Sequence, residues 1–139
     1  MPKVLIVEDD IDLAETYADV LESMGLTVTI ATSGTEAIRK LPVVLPHVVI
    51  LDMQLPGASG DLVLAYIRRH PRMRNTKVLV VTGFPNMAEV AVNSWGADLS
   101  LSKPISVESL KKATQELQAI KPDDDEESHE RTEPAQYSR

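Results

Sequence analysis

The sequence predicts an α/β protein built around a five-stranded parallel sheet, and three observations support this fold class. Short apolar segments rich in β-branched residues alternate along the chain with segments of helical periodicity. Each of the five strand-like segments is followed by a helical one, and right-handed crossovers between them make the strands parallel. Three of the strand-like segments are continuously apolar, whereas two alternate apolar with polar residues, which is typical of central and edge strands respectively.

The five strands are predicted from these segments in chain order. The continuously apolar segments suit strands that are covered on both faces, and they are Val4–Val7, Val48–Leu51 and Val78–Val81. Leu26–Ile30 and Leu99–Ser102 alternate, so they suit half-covered strands at the edges. Strands 2 and 5 therefore flank strands 1, 3 and 4, which predicts a doubly wound (βα)5 flavodoxin-like fold with strand order 2-1-3-4-5.

The helices between the strands are predicted from helical spacing and from residues that start or stop a helix. The first begins at an N-cap, Asp10 or Asp12, carries its apolar face on Ala14, Tyr17, Ala18 and Leu21, and ends near Gly25. The second opens at the capping-box pattern Ser33–Glu36 and is predicted to end at Pro42. The other three are predicted near 61–69 after Gly60, at about 86–95 before Gly96, and after Ser106, with Leu110, Ala113 and Leu117 on one face.

Composition limits the kinds of function that the chain can perform. Its 139 residues (15.3 kDa) suffice for about one domain. The chain contains no cysteine, which excludes disulfides, thiolate metal sites and cysteine nucleophiles. A net charge of −7 and an isoelectric point of about 4.9 argue against a nucleic-acid-binding surface. Neither a signal peptide nor a membrane-spanning segment is predicted, so we expect a cytoplasmic protein.

Residues 121–139 differ in composition from the preceding 120. They hold seven acidic and three basic side chains, a net charge of −4, and almost no apolar residues. Such a segment cannot bury enough apolar surface to offset the entropy of ordering it. We therefore predict one domain over residues 1–120, followed by a disordered acidic tail that is either simply solvated or docks a partner.

Polar and charged residues follow four of the five predicted strands. Strand 1 is followed by Glu8–Asp10 and strand 3 by Asp52, while strand 4 ends in Thr82–Gly83 and strand 5 in Lys103–Pro104. Each of these residues has an ordinary explanation on its own, as a helix cap, a turn residue or a solvated charge. Ligands of doubly wound sheets bind beyond the carboxyl ends of the strands, however, and these four ends face one point.

The chemistry of this group of residues is that of a site for receiving phosphate. Carboxylates packed together repel one another unless a cation neutralises them, and oxygen ligands without histidine or cysteine select Mg²⁺ or Mn²⁺. A carboxylate beside the metal can attack a phosphoryl group. Lys103 would neutralise phosphoryl oxygens, the Thr82 hydroxyl would donate a hydrogen bond to one, and Gly83 leaves room for the group.

Five motifs, in this order and spacing, resemble the response-regulator receiver domains of the CheY-like family over residues 3 to about 120. They are Val7–Asp10, Asp52–Gly57 with Gly60 beyond, Val81–Gly83, Gly96–Ala97 and Lys103–Pro104. The resemblance implies that Asp52 accepts the phosphoryl group from a phosphohistidine of a histidine kinase. It also implies that Asp9 ligates Mg²⁺ directly, Glu8 does so through water and Gln54 through its backbone carbonyl. By the same resemblance, Thr82 and Lys103 bind phosphoryl oxygens, and the bond before Pro104 is cis.

One position departs from the pattern of this family. Three residues before the lysine the family usually has a tyrosine or phenylalanine that moves on phosphorylation, and this chain has Ser100. No phosphoryl or metal ligand is lost, but a switch needs contacts that differ between its two states. We hypothesise that another group near strand 4 and helix 4, such as Phe84, takes part in switching. Phe84 and Gln54 each lie two residues beyond a site residue, and they are either loop residues or tune the lifetime of the acyl phosphate.

Two further features have ordinary structural interpretations. The basic residues near the end of helix 3 complement the helix dipole and are Arg68, Arg69, Arg72, Arg74 and Lys77. Trp95, at the end of helix 4, either packs in the structure or contacts a partner. Exposure of Trp95 would favour the second interpretation, because receivers often bind partners through helix 4, strand 5 and helix 5.

These expectations describe a single-domain response regulator rather than an enzyme. Its partners would be a sensor histidine kinase or phosphotransfer protein and a downstream protein, bound by the helix 4–strand 5–helix 5 face. It would be a monomer or a phosphorylation-dependent dimer. Two alternatives remain: a phosphate-independent interaction module, which Ser100 keeps open, and a phosphatase of the haloacid dehalogenase type. The latter typically has a second acid where this chain has Gln54.

Overall fold

The computed structural model describes residues 2–120, which form five strands and five helices in alternation. The strands are β1 (Lys3–Val7), β2 (Thr27–Ala31), β3 (Val48–Asp52), β4 (Lys77–Thr82) and β5 (Leu99–Ser102). The helices are α1 (Ile11–Ser23), α2 (Gly34–Val44), α3 (Gly60–Arg69), α4 (Pro85–Asn93) and α5 (Val107–Ala119). A short 3₁₀ turn at Pro71–Met73, which the sequence analysis did not predict, joins α3 to β4.

All strand pairs of the sheet are parallel and the order is β2-β1-β3-β4-β5, which confirms the predicted fold class. β3 and β4 are buried along their whole length, whereas β2 and β5 are mostly half-buried, as expected for edge strands. The register pairs Asp52 of β3 with Val81, and Thr82 with Ser102 of β5. The carboxyl ends of the strands therefore lie at one edge.

Two apolar clusters sandwich the sheet, and alternate residues of each strand belong to different clusters. Val4, Ile6, Val48 and Ile50 pack against α1 and α5, whereas their neighbours along the same strands pack against α2, α3 and α4. Continued beyond the strands, this alternation places Glu8, Asp52 and Lys103 on the α1/α5 face. Thr82 follows Val78 and Val80 on the opposite face, which α4 covers. The alternation thus decides which side chains meet at the end of the sheet.

Three of the helices, α1, α2 and α5, begin at the predicted caps. Asp10 accepts a hydrogen bond from Leu13 N at 3.2 Å and Ser106 accepts one from Ser109 N at 3.0 Å. The Ser33 hydroxyl accepts from Glu36 N at 3.0 Å, and the Glu36 carboxylate accepts from the backbone N–H of Thr32. The predicted capping roles of Asp10, Ser33 and Ser106 are confirmed.

The predicted end of α2 at Pro42 is wrong, because the helix continues to Val44. A proline inside a helix removes one hydrogen bond, but the backbone can resume its ladder in the next turn. Here Leu45 N donates to Leu41 O at 2.8 Å, and the side chain of Leu41 is fully buried. The helix ends instead at Leu45, whose φ of 50° lies in the left-handed region, immediately before Pro46. α4 also ends two residues earlier than predicted, at Asn93.

Gly60 determines how closely α3 approaches the end of β3. A Cβ atom at this position would lie 2.6 Å from Met53 Cα and 2.9 Å from the carbonyl oxygen of Asp52. Because backbone atoms cannot move aside as a flexible side chain can, the first turn of α3 packs against Asp52–Met53 only with glycine at this position. The glycine of the predicted motif thus positions the backbone that carries Asp52.

The predicted acidic tail at 121–139 lies outside the described residues. The described domain, residues 2–120, falls within the predicted range of 1–120. None of the helices in that range combines the length and the apolar character needed to cross a membrane.

Candidate functional site

Three carboxylates meet where β1 and β3 end. Glu8 and Asp9 follow β1, and Asp52 is the last residue of β3. A carboxylate oxygen of each lies within 4.8 Å of one from each of the others. Glu8 and Asp52 are each only 3% exposed, whereas Asp9 is exposed to solvent. The predicted acidic cluster is therefore assembled in the fold, with two members buried and one at the opening.

Lys103 contacts the two buried carboxylates of this cluster. Its Nζ lies 2.9 Å from Asp52 Oδ2 and 3.7 Å from Glu8 Oε1. Burial alone would lower the pKa of Lys103, but the hydrogen bond and the charge of Asp52 outweigh it, so the pKa is raised. Lys103 is thus a firmly charged donor directed at the Asp52 carboxylate.

The second oxygen of Asp52 is also bonded. Asp52 Oδ1 accepts a hydrogen bond from Gln54 N at 2.9 Å, so both carboxylate oxygens have a fixed direction. Gln54 N belongs to the loop that leads from β3 towards α3. The carboxylate is therefore oriented by a backbone donor on one side and an ammonium on the other.

The charge of Glu8 is incompletely compensated. Burial raises the pKa of Glu8 from 4.5 to about 7. A hydrogen bond of 3.1 Å from Asp10 N to Glu8 Oε2 opposes this rise, and the negative charge of Asp52 adds to it. One lysine faces three carboxylates, and this imbalance disfavours the ionised form of a buried acid. A second cation at the cluster would remove the imbalance.

This set of donors fits Mg²⁺. The carboxylates supply hard oxygen ligands without nitrogen or sulfur, and few protein ligands on one side leave room for water and a phosphate group. Glu8, Asp9 and Asp52 are the residues that would hold the ion, together with the predicted backbone carbonyl of Gln54. Mn²⁺ would suit the same oxygen ligands.

Thr82 lies fully buried at the end of β4, on the sheet face that α4 covers. Its Oγ1 accepts hydrogen bonds from Phe84 N at 3.1 Å and from Gln54 Nε2 at 3.2 Å. The Gln54 amide also reaches Met87 Sδ at 3.4 Å. Nothing in the sequence singles out Met87, because a methionine in the first turn of a helix carries no signal of such a contact.

Gly83 and Pro104 occupy the positions predicted for them. Gly83 is exposed, and a Cβ added to it would meet nothing within 4 Å, which agrees with the prediction of open space beside Thr82. The peptide bond between Lys103 and Pro104 is cis, as the resemblance implied.

Phe84 and Ser100 differ in their relation to the site. The Phe84 side chain is 58% exposed, so this residue contacts Thr82 through its backbone rather than through its ring. Ser100 is half-buried, and since Leu99 and Leu101 pack on the α1/α5 face, Ser100 lies on the face of α4. β5 therefore presents no large apolar side chain to α4.

Trp95 lies beside α3 and is partly exposed, which favours the interpretation of a partner contact over packing. It is 38% exposed and lines a cavity of about 240 Å³ with Asp61, Leu62 and Ala65. Nearby, Arg68 donates to Gly96 O at 2.8 Å and pairs with Asp98 Oδ2 at 2.8 Å. Arg68 thus ties α3 to the segment before β5, which is a structural role beyond the predicted complement of the helix dipole.

Comparisons with known proteins agree with this geometry. A family profile described as the response regulator receiver domain matches residues 4–115. DivK of Brucella anthropi, a polar-differentiation response regulator, is 32% identical over 109 residues, which cover 77% of this chain and 89% of DivK. The crystal structure of the chemotaxis response regulator CheY4 of Vibrio cholerae has a TM-score of 0.78 at 28% identity, covering 84% of this chain and 98% of CheY4.

A third similarity concerns the receiver domain of the Francisella response regulator 1452, with a TM-score of 0.76 at 26% identity. It covers 84% of this chain and 96% of that domain. The profile spans most of the described residues and includes every predicted site residue. The chain therefore belongs to the response regulator receiver domain family of two-component signalling.

Proposed function

We propose that this receiver takes a phosphoryl group onto Asp52 from the phosphohistidine of a sensor histidine kinase or phosphotransfer protein. One observation carries the proposal: the buried Asp52 carboxylate lies between the Lys103 ammonium and the carboxylates of Glu8 and Asp9. One carboxylate oxygen of Asp52 accepts a hydrogen bond from Lys103 Nζ and the other accepts one from Gln54 N. A carboxylate oriented in this way beside a solvent opening is suited to nucleophilic attack.

In the proposed step an oxygen of Asp52 attacks the phosphorus atom of the donor. A P–O bond forms as the P–N bond of a phosphohistidine protonated on its other ring nitrogen breaks, so the leaving nitrogen keeps the electron pair and neutral imidazole departs. Mg²⁺, when bound, neutralises the charge that develops on the phosphoryl oxygens. Lys103 Nζ stabilises the same charge from the other side, and the Thr82 hydroxyl donates a hydrogen bond to a phosphoryl oxygen.

The proposed output is a change in protein binding. The α4–β5–α5 face remains the proposed surface for a downstream protein, and the Asp52 acyl phosphate would control which of two states of that face is populated. The cytoplasm is the proposed location of this reaction. Monomeric and phosphorylation-dependent dimeric forms are both compatible with this proposal.

Metal dependence provides the direct test of the reaction. With acetyl phosphate and Mg²⁺, we expect the intact mass of the chain to increase by one phosphoryl group. Pre-treatment with a chelator should abolish the increase, because the acidic cluster then repels the anionic donor. Equal labelling with and without the chelator would contradict the proposed metal-dependent step.

If no mass increase occurs, the stable phosphoryl mimic beryllofluoride decides between two causes. Binding of beryllofluoride would indicate an acyl phosphate that hydrolyses too fast for mass measurement. Failure to bind it as well would refute the proposed function and favour the phosphate-independent interaction module. That module should bind its partner equally well with and without the Asp52 carboxylate.

Phe84 is expected to slow hydrolysis of the acyl phosphate, since its exposed ring stands two residues beyond Thr82 and limits the approach of water. Phe84→Ala should shorten the half-life of phospho-Asp52 roughly two- to fivefold, a change in barrier of under ~1 kcal/mol. The decay of the phosphorylated mass after removal of the donor measures it. Val43→Ala, which truncates an exposed apolar residue at the end of α2, is the matched control. An unchanged half-life in Phe84→Ala would reject this role.

A further inference from the structure

The hydroxyl of Thr82 is already engaged in this structure. Its oxygen receives two hydrogen bonds, from Phe84 N at 3.1 Å and from Gln54 Nε2 at 3.2 Å. An sp³ hydroxyl oxygen has two lone pairs, so both of its acceptor positions are filled. Of these two donors Phe84 N belongs to the backbone, so among the described residues Gln54 supplies the side-chain hydrogen bond that holds the hydroxyl in its resting position.

The hydrogen of the same hydroxyl lacks a strong acceptor. The acceptors recorded for it are Gln54 Oε1 at 3.4 Å and Met87 Sδ at 3.8 Å, both at the long limit of hydrogen-bond distances. A phosphoryl oxygen on Asp52 would be a charged acceptor, and such hydrogen bonds are shorter and roughly twice as strong as neutral ones. For a phosphoryl oxygen to accept this hydrogen, Thr82 Oγ1 would move towards Asp52, and that movement would break the hydrogen bond that it accepts from Gln54 Nε2.

The Gln54 amide connects this exchange to α4. Gln54 Nε2 lies 3.4 Å from Met87 Sδ, and Met87 belongs to the first turns of α4 and packs against the core. We refer to Gln54, Thr82 and Met87 as the amide bridge. β5 carries Ser100, not an aromatic side chain, on the face towards α4, and the amide bridge is a side-chain contact that leads from Thr82 to α4.

We propose that Gln54 is a positioning residue that holds the Thr82 hydroxyl and Met87 in the resting state. Formation of the acyl phosphate then draws the hydroxyl away from Gln54 and releases Met87, which changes the packing of the start of α4. The amide bridge thereby takes the place of an aromatic side chain at position 100. This inference rests on the proposed function, because the competing acceptor is the phosphoryl group on Asp52.

The test compares beryllofluoride binding to wild type and Gln54→Met, which keeps the length of the side chain and the backbone carbonyl but removes the amide. We expect the dissociation constant of beryllofluoride, measured with Mg²⁺, to fall three- to tenfold, because the Gln54 amide no longer holds the hydroxyl in its resting position. In a Thr82→Val background, Gln54→Met should change it by less than twofold. Gln54→Ala should change it in the same direction as Gln54→Met.

The ε-methyl resonance of Met87 provides a second measurement. Beryllofluoride should shift it in wild type, and in ligand-free Gln54→Met it should already lie closer to the bound position. Gln115→Met, on the exposed side of α5, is the control and should alter neither quantity.

Two results would overturn the inference while leaving the proposed function intact. One is a dissociation constant for Gln54→Met equal to that of wild type. The other is an equal fall of the dissociation constant on Gln54→Met substitution in the wild-type and the Thr82→Val backgrounds. A wild-type chain that does not bind beryllofluoride would overturn both the proposed function and the inference.

Discussion

Asp52→Asn should abolish phosphorylation by acetyl phosphate completely, whereas wild type gains one phosphoryl group. The substitution preserves the size of the side chain, and its amide oxygen can still accept a hydrogen bond from Lys103 Nζ or from Gln54 N, although its amide nitrogen can accept from neither. It removes the carboxylate oxygen that must form the bond to phosphorus, and a neutral amide is a poor nucleophile. Intact mass spectrometry of both proteins under identical conditions with Mg²⁺ measures the effect.

The matched control for this experiment is Asp61→Asn. Asp61 is an exposed carboxylate in the first turn of α3, bonded to the Ser59 hydroxyl and outside the acidic cluster. It should be phosphorylated like wild type at Asp52, which fragment masses can locate. Undiminished labelling of Asp52→Asn would move the acceptor to another residue and refute the proposed chemistry.

The Asp52→Asn variant should also show how the three carboxylates depend on one another. Removing the Asp52 charge eliminates one of the causes that raise the pKa of Glu8, although burial, the largest cause, remains. Glu8 and Asp9 would still be available to a cation. Loss of labelling in Asp52→Asn would therefore reflect the missing nucleophile rather than collapse of the acidic cluster.

The convergence of the site residues could be predicted from the sequence because it follows from the parallel direction of the strands and from the two-residue alternation of their side chains. Parallel strands place their carboxyl ends at one edge, and the two-residue alternation places Glu8, Asp52 and Lys103 on the same face of the sheet. The apolar segments before these residues are unambiguous, so the register is well specified by burial. The positions of the central site residues then required no knowledge of loops.

Features that depend on loops and on helix packing could not be predicted in the same way. Pro42 is a helix breaker by local rules, yet burial of Leu41 and a hydrogen bond from Leu45 N carry α2 two residues further. The orientation of Trp95 towards α3 depends on how α3 and α4 pack, which periodicity does not define. The contact between Gln54 and Met87 joins two loop-proximal residues that are 33 positions apart in the sequence.

Lys103→Met should slow phosphorylation of Asp52 by about 10²-fold, the effect typical of losing one preorganised charged or hydrogen-bonding group at a transition state. Methionine has a similar length but lacks the ammonium that lies 2.9 Å from Asp52 Oδ2. The initial rate of mass increase with acetyl phosphate and Mg²⁺ measures the loss. Lys112→Met, on the exposed surface of α5, should react at the wild-type rate.

Lys103→Arg separates charge from geometry in this prediction. Arginine keeps the positive charge but presents a planar fork instead of a compact point charge, so it should restore only part of the rate. Because Lys103 faces both Asp52 and Glu8, loss of its charge also leaves two buried carboxylates to be neutralised by the metal alone. The free energy of unfolding of the methionine variant, measured in urea, should therefore depend more strongly on Mg²⁺ than that of wild type. A Lys103→Met rate within twofold of wild type would show that the metal suffices, and Lys103 would then be assigned to orienting the resting carboxylate.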